Sequence, residues 1–400
     1  MTETSLTRRE FLKTSAGIGL LAFSHYPKKT YAKETDSVLR IGYLPITDAS
    51  PLLIGHAKGF FQEEGLNVMP PIMLRTWSML SESFLSGKFD VTHMLMPMPI
   101  WMRFKNNLPV KILAWDHTNG SAVTVKADSH IQTFKDLGGK QIAVPYWYSM
   151  HNIILQMALK KDGIQPVIQN QSMPLKPNQA NLFILPPPEM PVALAGNKID
   201  SFIVAEPYNA LAEQKLNAKI LRFTGDIWKD HPCCVVVMNE HDCQTRPEFT
   251  QKVINGIVKS QLWIQQNRNE TAKVLGKEGG GYLPVPEHVL QRVFNGYELS
   301  KYGGNMIPQA IKHPEWHNNR IGFQPYPYPS ATEFLIREMK HTLMEGDTIF
   351  LKNIDPITAT KSIVDDSFVK NAIKQIGGLN MFYSDDTTAT GFVREEIVDL

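Results

Sequence analysis

Val38-Leu39-Arg40-Ile41-Gly42-Tyr43-Leu44-Pro45-Ile46-Thr47-Asp48-Ala49-Ser50-Pro51-Leu52-Leu53-Ile54 is the stretch on which the fold turns. Its first residues alternate apolar and small side chains up to Leu44 and break at Pro45, the pattern of a strand. Asp48-Ala49-Ser50-Pro51 then offers N-cap residues and a proline suited to a first helical turn, and Leu52, Leu53, Ile54, Ala57 and Phe60 follow at helical spacing. A helix N-terminus directly after a strand points free backbone N–H groups at whatever lies beyond the strand end. That arrangement serves as an ordinary connection or as a seat for a polar ligand.

The alternation continues outward. Helical stretches at 77–87, 152–163 and 193–197 alternate with strand-like runs at 91–95, 110–115, 122–125, 141–144 and 201–204. Strand and helix in alternation predict parallel sheets covered on both faces, an α/β class. Phe134-Lys135-Asp136-Leu137-Gly138-Gly139-Lys140 leads into the first strand of a second domain, and Leu185-Pro186-Pro187-Pro188 is a stiff, extended connector. Residues 249–268 read as a long amphipathic helix, with Val253, Ile254, Ile257, Leu262 and Trp263 at three- and four-residue spacing. The polar residues from Ser384 onward predict a loosely held tail.

The N-terminus bounds the function. Thr7-Arg8-Arg9-Glu10-Phe11-Leu12-Lys13 precedes the short apolar run Ile18-Gly19-Leu20-Leu21-Ala22-Phe23 and a small-residue exit at Thr30-Tyr31-Ala32. Residues 1–32 therefore read as an export signal of the twin-arginine type, too short in its apolar part for the roughly 20 residues a membrane span needs. The expected location is the periplasm, where kinases, ligases and most dehydrogenases have no supply of their cosubstrates. Binding proteins, hydrolases and redox proteins remain. Removing Arg8, Arg9, Lys13, Lys28 and Lys29 with Glu3 and Glu10 from a chain of 41 basic and 39 acidic groups leaves 36 against 37, a formal charge of −1. No basic stripe for nucleic acid is present. Three cysteines are too few for a disulfide-built scaffold.

Gly42 to Leu52, Lys58-Gly59-Phe60-Phe61-Gln62-Glu63-Glu64-Gly65-Leu66, Met96-Pro97-Met98-Pro99, Asn119-Gly120, Pro186-Pro187-Pro188-Glu189-Met190, Glu206-Pro207-Tyr208-Asn209 and Gly225-Asp226-Ile227-Trp228-Lys229-Asp230-His231-Pro232 occur in order along nearly the whole mature chain. Together they resemble the solute-binding proteins of ABC importers for nitrate, bicarbonate, sulfonates and thiamine precursors, and the nitrate and bicarbonate branch in particular. The resemblance implies an α/β, two-lobe periplasmic-binding-protein fold of type II, with a ligand cleft between the lobes and closure presenting a surface to a membrane permease. Lobe one is expected at 37–121 plus 238–385, lobe two at 122–237, and a polar tail at 386–400, with crossings at 121–125 and 233–238. A monomer is expected.

The resemblance also implies a ligand set. A tryptophan after the first helix falls on Trp77, and a histidine opening a lobe-two helix falls on His151; both are kept. The branch's glutamine after Asn-Gly is Ser121 here, its glycine before Glu-Pro is Ala205, and its lysine two residues beyond His-Pro is Cys234. Losing the charge-assisted bond of the lysine and the neutral bond of the glutamine costs an inorganic anion on the order of 3 kcal/mol, about a hundredfold. A small organic or heterocyclic solute suits the altered pocket better, with Tyr146-Trp147-Tyr148 either flanking it or packing the domain. The expected ligand-binding residues are Thr47, Asp48, Trp77, Asn119, Ser121, His151, Ala205, Glu206 and Cys234; no cofactor, metal ligand or catalytic residue is assigned.

Three other chemistries compete. His231, Cys233, Cys234, His241 and Cys243 could hold zinc or copper, but strand alternation lets only one of the adjacent cysteines face the cleft. Relatives that form the thiamine pyrimidine use a cysteine-rich segment beside histidine on this fold, of which His231-Pro232-Cys233-Cys234 is an echo, so a cysteine-dependent enzyme is an alternative. A true nitrate or bicarbonate binder is the third.

Overall fold

The computed structural model describes residues 37–316, 319–383 and 389–400; the twin-arginine segment lies outside the described residues. Eleven strands build its two main sheets. In chain order they are β1 (Ile41–Tyr43), β2 (Ile72–Met73), β3 (Val91–Leu95), β4 (Val110–Trp115), β5 (Ser121–Lys126), β6 (Gln141–Val144), β7 (Gln165–Val167), β8 (Gln179–Ile184), β9 (Ser201–Ala205), β10 (Ala218–Phe223) and β11 (Cys234–Asn239). A five-stranded sheet has the order β2-β1-β3-β11-β4, and a six-stranded sheet the order β7-β8-β6-β9-β5-β10.

Each sheet carries one strand against the grain. β1 runs parallel to β2 and β3, while β11 is antiparallel to both β3 and β4. In the other sheet β6 to β9 are mutually parallel, and β5 is antiparallel to β9 and β10. The reversed strands are the ones that follow each change of sheet. They read as unbroken apolar runs, Val235-Val236-Val237 and Ala122-Val123, because helices cover both faces of the sheets and leave no wet side to alternate with.

The chain changes sheet at 116–120 and again at 224–233. These segments precede the strands that were expected to carry the crossings, and the boundary expected between Val237 and Met238 falls inside β11, which begins at Cys234. The two crossings run side by side. Asn119 N–H donates to the His231 carbonyl at 2.9 Å, Asp116 N–H to that of Cys234 at 3.0 Å, and Thr118 bridges Pro232. Asn119 and Gly120 both adopt left-handed backbone, φ +56° and +73°, which is why an Asn-Gly pair stands there. A third segment, Ile321–Gly322, pairs with Thr118–Asn119 from the other side.

Helix starts place two site residues. Thr76 Oγ1 accepts from Met79 N–H at 3.2 Å and opens helix Trp77–Leu85, putting Trp77 in its first turn. Ser149 Oγ accepts from Asn152 N–H at 3.0 Å and opens helix Met150–Lys161, putting His151 second. The helix Ser50–Ala57 is different: a 3-10 turn at Thr47–Ala49 leads into it and no side chain caps it, so Asp48 is free for other partners. The long helix is Pro247–Gln266, with Val253, Ile254 and Ile257 fully buried.

Of the tail expected from Ser384 onward, residues 384–388 lie outside the described residues, and residues 394–399 are bonded to the rest of the chain and not loosely held. Lys229 N–H donates to the Ile397 carbonyl at 3.0 Å and Asp399 N–H to that of Ile227 at 2.9 Å. Arg394 lies 4.7 Å over the Trp115 ring and pairs with Glu396, which accepts from Trp228 Nε1 at 2.8 Å. Polar composition suggested solvent, but these charges are matched to one another and stacked on rings, which lets them be buried.

Candidate functional site

The polar residues that converge between the two sheets come from the ends of strands and from the crossings, where open α/β sheets place ligands. Asp48 follows β1, His93 lies in β3, His117 in the first crossing, Ser121 opens β5, His151 lies in the first turn of its helix, Cys233 ends the second crossing and Cys234 opens β11. All are buried, each no more than 3% exposed.

Asp48 Oδ2 is the hub. It accepts from Cys234 Sγ at 3.1 Å and Cys233 Sγ at 3.5 Å, and His117 Nε2 lies 3.3 Å away. Both thiols reach it because Cys233 stands one residue before β11, where strand alternation does not apply; the expectation that only one could face inward is corrected. Ser121 Oγ is 2.9 Å from His151 Nε2 and 3.7 Å from Cys233 Sγ, and His151 Nε2 is 3.9 Å from that sulfur. His93 Nε2 accepts from Leu44 N–H at 3.0 Å, and its ring meets Trp77 edge-on with centroids 5.6 Å apart.

Burial sets the charges. It pushes the Asp48 carboxyl up to about 8 against the opposing thiol hydrogen bonds, so the acid is protonated at neutral pH. Burial brings His93 and His151 down to about 3 and His117 well below its usual range, with His231 adding to the last two, so all three rings are neutral. Burial also raises both thiols, and it raises Asp116 with help from Asp48. Asp48 Oδ1, Trp77 Nε1, His93 Nδ1, His117 Nδ1 and His151 Nδ1 have no hydrogen-bond partner among the described residues.

Of the expected ligand residues, Asp48, Ser121, His151 and Cys234 are brought together, with Trp77 beside His93. Others face elsewhere. Thr47 N–H and Oγ1 both donate to the Glu206 carbonyl, at 2.8 and 3.0 Å, and Asn119 Nδ2 donates to Asp230 at 3.2 Å. The Glu206 carboxylate accepts from Ala210 N–H at 3.0 Å and lies 3.4 Å from Arg320 Nε. Ala205 pairs with Ser121 across β9 and β5 and offers only a methyl group. Trp147 Nε1 donates to Glu345 at 3.1 Å and Tyr148 stacks on Trp101, so those two aromatics serve packing. His93, His117 and Cys233, which were not among the expected ligand residues, also belong to this buried polar set. A histidine inside the apolar run Val91–Leu95 was the available signal, since burying one uncharged needs a reason.

His231 is bonded to Thr224 Oγ1 at 2.8 Å, and Cys243 lies on helix Glu240–Thr245, beyond the far end of β11. The cysteine and histidine cluster suggested by sequence proximity therefore does not assemble.

Residues 32–276 match the family model described as NMT1-like. The nitrate/nitrite binding protein NrtA of Nostoc is 29% identical, over 77% of this chain and 72% of its own. The nitrate import ATP-binding protein NrtC of Synechocystis is 26% identical over 63% of this chain, which spans 38% of NrtC. The crystal structure of the periplasmic nitrate-binding protein NrtA from Synechocystis superposes with a TM-score of 0.69 at 18% identity, covering 87% of this chain and 91% of that one. The fold is that of periplasmic binding proteins.

Proposed function

The chain belongs to the NMT1-like family, and from that membership we propose that it is the extracytoplasmic solute-binding subunit of an ABC importer whose ligand is a small polar organic solute other than nitrate. The observation that carries the ligand class is the buried set of polar atoms without partners among the described residues, contributed by Asp48, Trp77, His93, His117 and His151. Each buried polar atom left unpaired costs roughly 1–3 kcal/mol, so a solute bearing both donors and acceptors is favoured by several such bonds. Among the described residues no lysine or arginine pairs with these atoms, and the histidines are neutral. A compact anion meets no countercharge there; an uncharged heterocycle edge-on to Trp77 meets complementary groups.

The relatives named for nitrate import include an ATP-binding component, which supports a membrane permease and its ATPase as transient partners of a monomeric chain. The paired crossings form the hinge on which two lobes close. The chain binds and releases its solute unaltered and is not an enzyme.

The test of the ligand class is native mass spectrometry on protein purified from its own host. A retained small organic mass is expected, lost in His151→Ala, together with no rise in melting temperature on adding nitrate. A nitrate-induced rise in the wild type overturns the reading. Location is tested separately: replacing Arg8 and Arg9 by lysine should empty the periplasmic fraction, and undiminished export would exclude the twin-arginine route.

A further inference from the structure

We propose that Asp48, His117 and Cys233 form a mononuclear site for a thiophilic divalent metal, zinc(II) in the first instance. The three donor atoms lie within 4.8 Å of one another, and all three residues are fully buried. The two separations that share Asp48 are those a tetrahedral ion imposes. Bonds of about 2.0–2.1 Å to nitrogen and oxygen and about 2.3 Å to sulfur put tetrahedral neighbours about 3.3 Å apart for nitrogen and oxygen and about 3.5 Å for oxygen and sulfur. His117 Nε2 to Asp48 Oδ2 is 3.3 Å, and Cys233 Sγ to Asp48 Oδ2 is 3.5 Å.

The partners of these atoms point the same way. The 3.3 Å approach of His117 Nε2 to the carboxylate is not aligned as a hydrogen bond. An ion between the two converts that close approach into two bonds. Carboxylate, imidazole and thiolate together select zinc over calcium or magnesium, which take oxygen ligands. Binding displaces the protons of the Cys233 thiol and the Asp48 carboxyl to solvent, and the two negative charges created cancel the ion's two positive ones. The site stays neutral overall, as buried sites must. Three protein donors leave a fourth tetrahedral position for water or for a nitrogen or oxygen of the solute; Ser121 Oγ and His151 Nε2 lie 3.7 and 3.9 Å from the Cys233 sulfur.

The test uses the mature chain stripped with a chelator and titrated with zinc(II) and cobalt(II), with no organic solute present, so that it stands or falls apart from the transport reading. One equivalent of zinc is expected to bind, undisturbed by excess calcium. Cobalt is expected to show a thiolate charge-transfer band together with the intense visible bands of tetrahedral coordination. Cys233→Ser should abolish the charge-transfer band, and His117→Ala should weaken zinc at least about tenfold. Cys243→Ser, which alters a thiol bonded to the Asn239 carbonyl on a separate helix, should leave both readouts unchanged. Circular dichroism establishes that each variant is folded. A wild-type cobalt spectrum without a thiolate band, substoichiometric zinc, or Cys233→Ser binding like the wild type overturns the proposal. If the variants do not fold, the wild-type cobalt spectrum alone decides.

Discussion

Arg320→Ala is expected to lower the free energy of unfolding by about 3–5 kcal/mol, the cost of breaking a buried charge pair by removing one partner. Arg320 is 2% exposed and stands beside the third crossing segment. Its Nη2 donates to Glu213 at 2.7 Å, its Nε lies 3.4 Å from Glu206, and its guanidinium sits 4.8 Å over Phe223. Burial alone would raise both acids. Arg320 holds Glu213 below the usual carboxylate range, whereas Glu206 stays raised because the opposing pull there is weaker. Without the cation two buried carboxylates face each other. The Arg320 carbonyl also accepts from Gly120 N–H at 2.8 Å, so the loss is felt at the first crossing. Urea unfolding read by tryptophan fluorescence measures the effect. Arg320→Lys should recover only part of it, because a single ammonium cannot serve two acids as a planar fork does. A loss under about 1 kcal/mol would mean that the cluster contributes little.

Nitrate binding should be recoverable, and the structure states what it takes. Cys234→Lys with Ser121→Gln and Ala205→Gly supplies the charge, the neutral donor and the small residue of the nitrate branch. In this pocket, however, the Cys234 thiol rests on Asp48 at 3.1 Å, and a lysine placed there would ion-pair with that carboxyl instead of with nitrate. The triple variant should therefore gain little, and adding Asp48→Asn should raise nitrate affinity by about a hundredfold over the wild type, on the order of 3 kcal/mol. Calorimetry on the wild type, triple and quadruple variants separates these outcomes. A triple variant that binds nitrate as well as the quadruple would show that Asp48 does not control the charge of the site.

The sequence by itself determined the α/β class, the order of the main elements and the neighbourhood of the site. Strand and helix patterning is local, and the runs at Val91–Leu95, Val110–Trp115 and Gln141–Val144 are strands of the two sheets. Caps such as Thr76 and Ser149 are equally local, and they place Trp77 and His151. Only the tertiary structure decided which polar groups meet. Asp48 reads as a helix cap, yet it turns to two thiols brought to it by β11 from far along the chain. Glu206 and Asn119 lie in the motifs that suggested ligand contact, yet they spend their side chains on Arg320 and Asp230. His241 and Cys243, close to Cys234 in sequence, are carried away along an extended strand, while His93 and His117 are brought close by sheet pairing and by the crossing. Adjacency along a chain measures distance only where the backbone is coiled; in a sheet, register and crossover decide contact, and neither is written in a local pattern.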